Sequence, residues 1–218
     1  MKKDLFNHLA LLCTIIMMQP LVARAGNDTL PGVYLLRGVM ETASVLELKP
    51  DSTFDFFFSQ GALDRGGHGR WTVKEGRLVL NSIAARPPKD YALVSSKKVP
   101  GDITVVKMVD KNSMILSYSE VTIVTPGGPL QASTNSHGEA VFKRKNATAI
   151  ELLFRLCPDR SSVFTVPAGH NYFEFRLEPW IADVFFNNFQ LQMSGNLLTG
   201  PHPLLEGNAF TYEKESSQ

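Results

Sequence analysis

The densest group of chemically capable side chains in the chain is Asp64-Arg65-Gly66-Gly67-His68-Gly69-Arg70-Trp71. Arg65 and Arg70 offer forked donors for an anion, His68 a titratable donor, and Trp71 a flat face on which a sugar ring or a cation can stack. A glycine-rich hairpin with solvated charges and a core tryptophan would use the same residues and would need no ligand. Asp64, Arg65, His68, Arg70 and Trp71 are therefore weak ligand-binding candidates, and the hairpin is their first reading.

No other constellation points to chemistry. Beyond the first segment the histidines are His68, His137, His170 and His202, and none lies two or four residues from another, so no local metal-ligand spacing exists. Ser95-Ser96-Lys97-Lys98 matches the Ser-x-x-Lys of serine acyl-enzymes, but that motif needs a helix start to bring the lysine beside the serine, and this stretch runs into Pro100. Cys157 ends an apolar run, Phe154-Arg155-Leu156-Cys157, and reads as a buried small hydrophobe. No phosphate loop, dinucleotide fingerprint or nucleophile elbow occurs. The sequence therefore assigns no catalytic residue, no cofactor site and no metal site.

The elements that would carry these residues are strands. Apolar side chains recur with period two. Leu46 and Leu48 share one parity, as do Phe54, Phe56 and Phe58, Leu78 and Leu80, Ile150, Leu152 and Phe154, Phe173, Phe175 and Leu177, and Phe189, Leu191 and Met193. Polar residues fill much of the opposite parity, so each strand buries one face. Lys49-Pro50-Asp51-Ser52, Lys74-Glu75-Gly76-Arg77, Gly127-Gly128, Ser136-His137-Gly138 and Gly195-Asn196 supply the turns. About thirteen strand candidates follow one another at the short spacing of an antiparallel barrel or sandwich. The Phe-rich runs Phe54 to Phe58 and Phe185-Phe186 are expected to come from sheet packing on sheet, with an apolar pocket as the other cause.

The chain opens with Lys2-Lys3, continues as an apolar run from Leu5 to Val22, and reaches Ala23-Arg24-Ala25. A basic start, an apolar middle and small residues at −3 and −1 are the layout of a secretory signal peptide, here of bacterial proportions. Residues 1–25 are assigned to it, which places the remainder in the periplasm or outside the cell. No integral membrane span is expected after cleavage. Cys13 is preceded by Leu12 rather than a small residue, so it is not expected to carry a lipid. Without Lys2, Lys3, Arg24 and Asp4, the 22 basic and 21 acidic residues leave a net charge of −1. That balance gives no reason to expect nucleic acid. Two prolyl stretches, Arg86 to Asp90 and Lys97 to Asp102, divide the rest into β units at 26–100 and 101–218.

Two resemblances attach to these units. Gly32-Val33-Tyr34, Leu46-Glu47-Leu48-Lys49-Pro50-Asp51-Ser52-Thr53-Phe54, Gly69-Arg70-Trp71 and Leu78-Val79-Leu80 resemble the L-x-L-x-P-D-G-x-F … G-x-W … L-x-L pattern of small bacterial lipocalin-like β-meanders, with Ser52 in the glycine position. The likeness covers residues 32–82. Residues 103–156 resemble a prealbumin-like or carboxypeptidase-regulatory-type sandwich, through Thr134-Asn135-Ser136-His137-Gly138-Glu139-Ala140-Val141-Phe142, with Asn135 where that pattern has aspartate. Together they look similar to exported bacterial proteins and carry over no activity.

The expected molecule is all-β: a lipocalin-like N-terminal unit followed by a sandwich-like unit. Its expected role is that of an exported, non-enzymatic binding or interaction protein of the cell envelope, whose partner is a small molecule or an envelope protein. A carrier with an apolar pocket between strands is the alternative, and an envelope hydrolase the third reading. N-terminal sequencing of protein recovered from the envelope fraction should begin at Gly26; recovery of the intact Met1 chain from membranes would refute the cleavage.

Overall fold

The computed structural model describes residues 30–61, 63–143 and 146–216. The expected signal segment 1–25 lies outside them. The described chain is all-β. Its first five strands, β1 (Gly32–Arg37), β2 (Thr42–Leu48), β3 (Thr53–Gln60), β4 (Leu63–Lys74) and β5 (Arg77–Ser82), run as an antiparallel meander. The next eight build a separate pair of sheets. They are β6 (Tyr91–Lys97), β7 (Thr104–Met108), β8 (Ser119–Thr125), β9 (Gly128–Ser133), β10 (Glu139–Phe142), β11 (Ala149–Phe154), β12 (Ser162–Thr165) and β13 (Tyr172–Leu177). The last three, β14 (Phe189–Ser194), β15 (Leu197–Gly200) and β16 (Phe210–Lys214), return to the first group. There β14 pairs with β5 and β16 with β1, which closes an eight-stranded antiparallel barrel.

Sheet membership therefore divides the chain elsewhere than at residue 100. The barrel takes residues from both ends of the chain, and β6 to β13 form an insert between two of its neighbouring strands. The insert has sheets ordered β10-β7-β13-β6 and β12-β11-β8-β9. Their inner faces share one apolar cluster, with Val106, Phe173 and Phe175 from the first meeting Val121, Ile123, Ile150 and Leu152 from the second. The segment from Arg86 to Asp102, bracketed by the two prolyl stretches, contains β6, which pairs with β13.

The turns follow from local chemistry. In Lys49-Pro50-Asp51-Ser52 the Asp51 carboxylate accepts from the Thr53 amide at 3.0 Å and its hydroxyl at 2.6 Å. Ser52 stands at φ 65°, the left-handed conformation that a glycine adopts without steric cost. Asn135 caps the turn that follows it, since its side-chain oxygen accepts from the His137 and Glu139 amides at 2.9 and 3.0 Å.

The Phe-rich strand has a different cause from the one expected. Phe54, Phe56 and Phe58 do not meet a second sheet; they converge inside the closed barrel with Tyr34, Leu46, Leu48, Leu78, Leu80, Leu191 and Tyr212. Phe57 points outward and is 43% exposed. The segment returning from the insert adds two more residues to this core, Val184 and Phe186. The Val184 amide donates to the Gly66 carbonyl at 2.6 Å, and the Ser82 amide donates to the Phe186 carbonyl at 2.9 Å. Phe186 then meets Phe54 and Phe56 edge-on, with centroids 5.1 and 5.3 Å away. Glycine is required beneath it. A Cβ on Gly67 would lie 2.5 Å from the Val184 carbonyl oxygen and 2.9 Å from the Phe186 ring.

Because an eight-stranded barrel is just wide enough for side chains to fill, loss of one large ring leaves a cavity that its stiff wall cannot close. Phe186→Ala is expected to cost about 3–5 kcal/mol. Chemical denaturation of parent and variant checks this, with a loss below about 1 kcal/mol counting against the packing described.

Candidate functional site

The expected hairpin from Asp64 to Trp71 is a continuous part of β4, and strand alternation separates its five candidate residues. Arg65 and Trp71 lie on one parity with Gly67 and Gly69; Asp64, His68 and Arg70 lie on the other and are exposed. Trp71 is half-buried, and its indole N–H donates to the Lys49 carbonyl at 3.1 Å, tying β4 to the turn before β3. Arg70 is at the surface. His68 borders a small cavity of about 200 Å³ with Ser82, Ile83, Val184 and Phe185. The five do not assemble into one site.

Arg65 is an anchor between the barrel and the insert. Its side chain is 3% exposed and holds Asp159 with two parallel bonds of 2.8 and 2.7 Å. Arg86 stands 3.6 Å from the same carboxylate and 3.1 Å from Asp90, which also accepts from Arg160. Burial pushes the Asp159 carboxyl up, but the hydrogen bonds and charge of Arg65, with the charge of Arg86, outweigh it and hold the group below the usual carboxylate value. A buried pair of this kind is costly to break from either side, because the partner left behind keeps its desolvation penalty.

Beside this anchor the junction opens into a cleft of about 510 Å³. Leu63 and Asp64 of β4 form one side. Phe154, Leu156, Cys157 and Leu177 of the insert form the other, and a 3₁₀ turn at Pro179–Ala182 contributes Ile181. Asp64, Asp110 and Glu178 give it carboxylates. The turn is pinned by the Trp180 indole, which donates to the Lys89 carbonyl at 2.9 Å. Cys157 is 2% exposed, and burial pushes its thiol above the ordinary value. The cysteine thus sits buried in the cleft wall, as a small hydrophobe would. Asp64 is the one sequence candidate that reaches this cleft.

A second polar group lies inside the barrel. His202, 5% exposed, packs against Phe56, Phe58, Phe210 and Tyr212. Its Nε2 lies 3.1 Å from the Ser44 hydroxyl, which lies 2.8 Å from the Tyr212 hydroxyl. Nδ1 accepts from the Leu204 amide at 3.0 Å. In the neutral ring the proton is therefore on Nε2, which donates to Ser44. A histidine that activates a serine must face it with a bare nitrogen, so this pairing is built to hold the 201–209 loop and not to deprotonate the hydroxyl. His170 Nδ1 lies 2.9 Å from the Ser96 hydroxyl on the insert. Among the described residues, no three His, Cys, Asp or Glu side chains converge as metal ligands, and no helix is long and apolar enough to cross a membrane.

No family model, curated protein or solved structure matches the chain. The fold itself defines the class: an all-β protein with a closed eight-stranded antiparallel barrel and further sheets. That architecture is compatible with a lipocalin-like barrel, with one difference of filling. Side chains occupy the interior, so the candidate site lies at the junction with the insert.

Burial pushes His202 down from 6.5 to about 4. The folded value is below the unfolded one, so the unfolded chain binds the proton more readily between them. His202 therefore contributes stability that is present above about pH 6.5 and is lost as pH falls towards about 4. His202→Phe should flatten the difference in melting temperature between pH 7 and pH 4.5 relative to the parent. An unchanged pH dependence would show that His202 charges freely in the folded state.

Proposed function

We propose that this chain is an exported, non-catalytic binding protein of the cell envelope, and that its ligand is a small molecule with an apolar body held in the cleft between barrel and insert. The observation that carries the reading is the lining of that cleft: Leu63, Ile115, Phe154, Leu156, Leu177 and Ile181 converge around about 510 Å³ at the meeting of two packed units. Ligand sites favour such junctions, where two rigid walls enclose apolar surface with a few polar groups at hand. The filled barrel core supports the same placement, because phenylalanine, leucine and tyrosine side chains take up its interior. The anchor of Arg65 on Asp159 fixes the two walls relative to each other, and a site held in place before binding loses less entropy on occupation.

A protein partner is the second reading. It is supported by the outer strands of the insert, where β6, β10 and β12 carry the exposed valines Val94, Val141 and Val163. Strand edges with apolar side chains are templates for pairing with another chain.

Fluorescence titration with N-phenyl-1-naphthylamine, a neutral apolar probe, separates the two. Binding with enhanced emission is expected, and Ile181→Trp, which fills the cleft, should weaken it at least tenfold while the fold is retained. Absence of probe binding, or binding indifferent to Ile181→Trp, would reject the cleft as the ligand site.

A further inference from the structure

The outer face of the barrel carries a groove whose lining differs chemically from that of the cleft. Five strands place one residue each in a single cross-strand row: Lys74 of β4 is opposite Arg77 of β5, Arg77 opposite Gln192 of β14, Gln192 opposite Thr199 of β15, and Thr199 opposite Thr211 of β16. Directly opposed residues share a face, and neighbouring strands stand about 4.7–4.9 Å apart. The row is thus a ladder of polar side chains with a step close to the length of one pyranose unit.

Part of this row lies in a groove of about 530 Å³, where Arg77, Gln190, Gln192, Thr199 and Thr211 are joined by the loop residues Pro201 and Asn208. The loop wall is not loose. The residue after Pro201 is His202, whose ring is fixed in the barrel core by Ser44 and the Leu204 amide.

The chemistry of the lining selects a ligand class. Arg77 donates to the Gln190 side-chain oxygen at 3.2 Å and, among the described residues, has no carboxylate within ion-pair distance. Arg37, at the far end of the row opposite Thr211, is already paired with Glu213 at 2.9 Å. Among the described residues, the side chains of Thr199, Thr211 and Asn208 make no hydrogen bond. The groove therefore presents both hydrogen-bond donors and acceptors, with one cation and no anion in its lining. Its lining has no aromatic platform and only one cation, which does not suit single-stranded nucleic acid. Barrel closure leaves no free strand edge here to pair a peptide. A ligand that offers hydroxyls at every unit, and carboxylates as well, matches what remains.

We propose that this groove binds an oligosaccharide bearing carboxylate groups, with Arg77 holding a carboxylate and Gln192, Thr199, Thr211 and Asn208 meeting hydroxyls. The site is independent of the apolar cleft and would tether the protein to an acidic glycan.

Isothermal titration calorimetry with tetragalacturonate, maltotetraose and inorganic tripolyphosphate tests it on the full chain. Tetragalacturonate is expected to bind in the micromolar to millimolar range and maltotetraose at least tenfold more weakly. Arg77→Gln should weaken the acidic tetramer about tenfold, and Thr211→Val, which removes a hydroxyl without adding bulk, by a few-fold, both at unchanged melting temperature. Equal binding of maltotetraose would overturn the role of the carboxylate. Tripolyphosphate binding that is as tight and as sensitive to Arg77→Gln, yet indifferent to Thr211→Val, would reduce the groove to an anion site. No binding of tetragalacturonate at millimolar concentration, or binding unchanged in both variants, would overturn the proposal.

Discussion

Everything in this molecule depends on the pairing of its first strand with its last. The backbone bonds of β1 with β16 turn an open meander into a barrel without edges, and a closed sheet must do something with its inner face. Eight strands enclose about the volume that side chains can fill. Here the strands bring phenylalanines and leucines, the returning segment adds Val184 and Phe186, and the 201–209 loop adds His202. Once filled, the barrel is a core. The surfaces left open to a ligand are those around it, at the junction with the insert and on the outer face.

Closure also dictates how the insert is held. The chain leaves the barrel after β5 and re-enters at β14, and these two strands are hydrogen-bonded neighbours. The insert is thus suspended from two adjacent points, and its orientation relative to the barrel is set by what lies between them. Arg65, Asp159, Arg86, Asp90 and Arg160 occupy that place. Guanidinium groups suit it, because their planar fork meets a carboxylate in two places and tolerates partial burial better than an ammonium would. Arg86 also lies over the Phe185 ring, 5.9 Å from its centroid. The junction is rigid through charge on one side and leaves the apolar cleft on the other.

His202 illustrates how a polar side chain can serve an apolar core. Its two ring nitrogens are both occupied, one by a backbone amide and one by a hydroxyl, so burial leaves no unsatisfied atom. The ring then fills space as a phenylalanine would, while its hydrogen bonds fix the register of a loop that has little regular structure. The same loop forms one wall of the polar groove outside, so core packing and the shape of that groove are coupled through one residue.

The period-two alternation of the sequence determined the all-β class, the strands around Leu46, Phe54, Leu78, Ile150, Phe173 and Leu191, and the side of each that is buried. Its turn chemistry determined the hairpins at Pro50-Asp51 and Glu75-Gly76 and the turn at Ser136-His137-Gly138. These properties are local: a few residues on either side fix them. Tertiary structure alone decided which strands are partners. Nothing in Phe189 to Lys214 marks it as the closure of a barrel begun at Gly32, since backbone hydrogen bonds carry no sequence label. The glycines near His68 read as a hairpin, whereas Gly67 is small because a segment over a hundred residues later passes across it. Arg65 read as a surface donor and is buried because Asp159 arrives from the insert to neutralise it. The cleft draws its lining from segments far apart in the chain, so no spacing could announce it; proximity in space made the cleft.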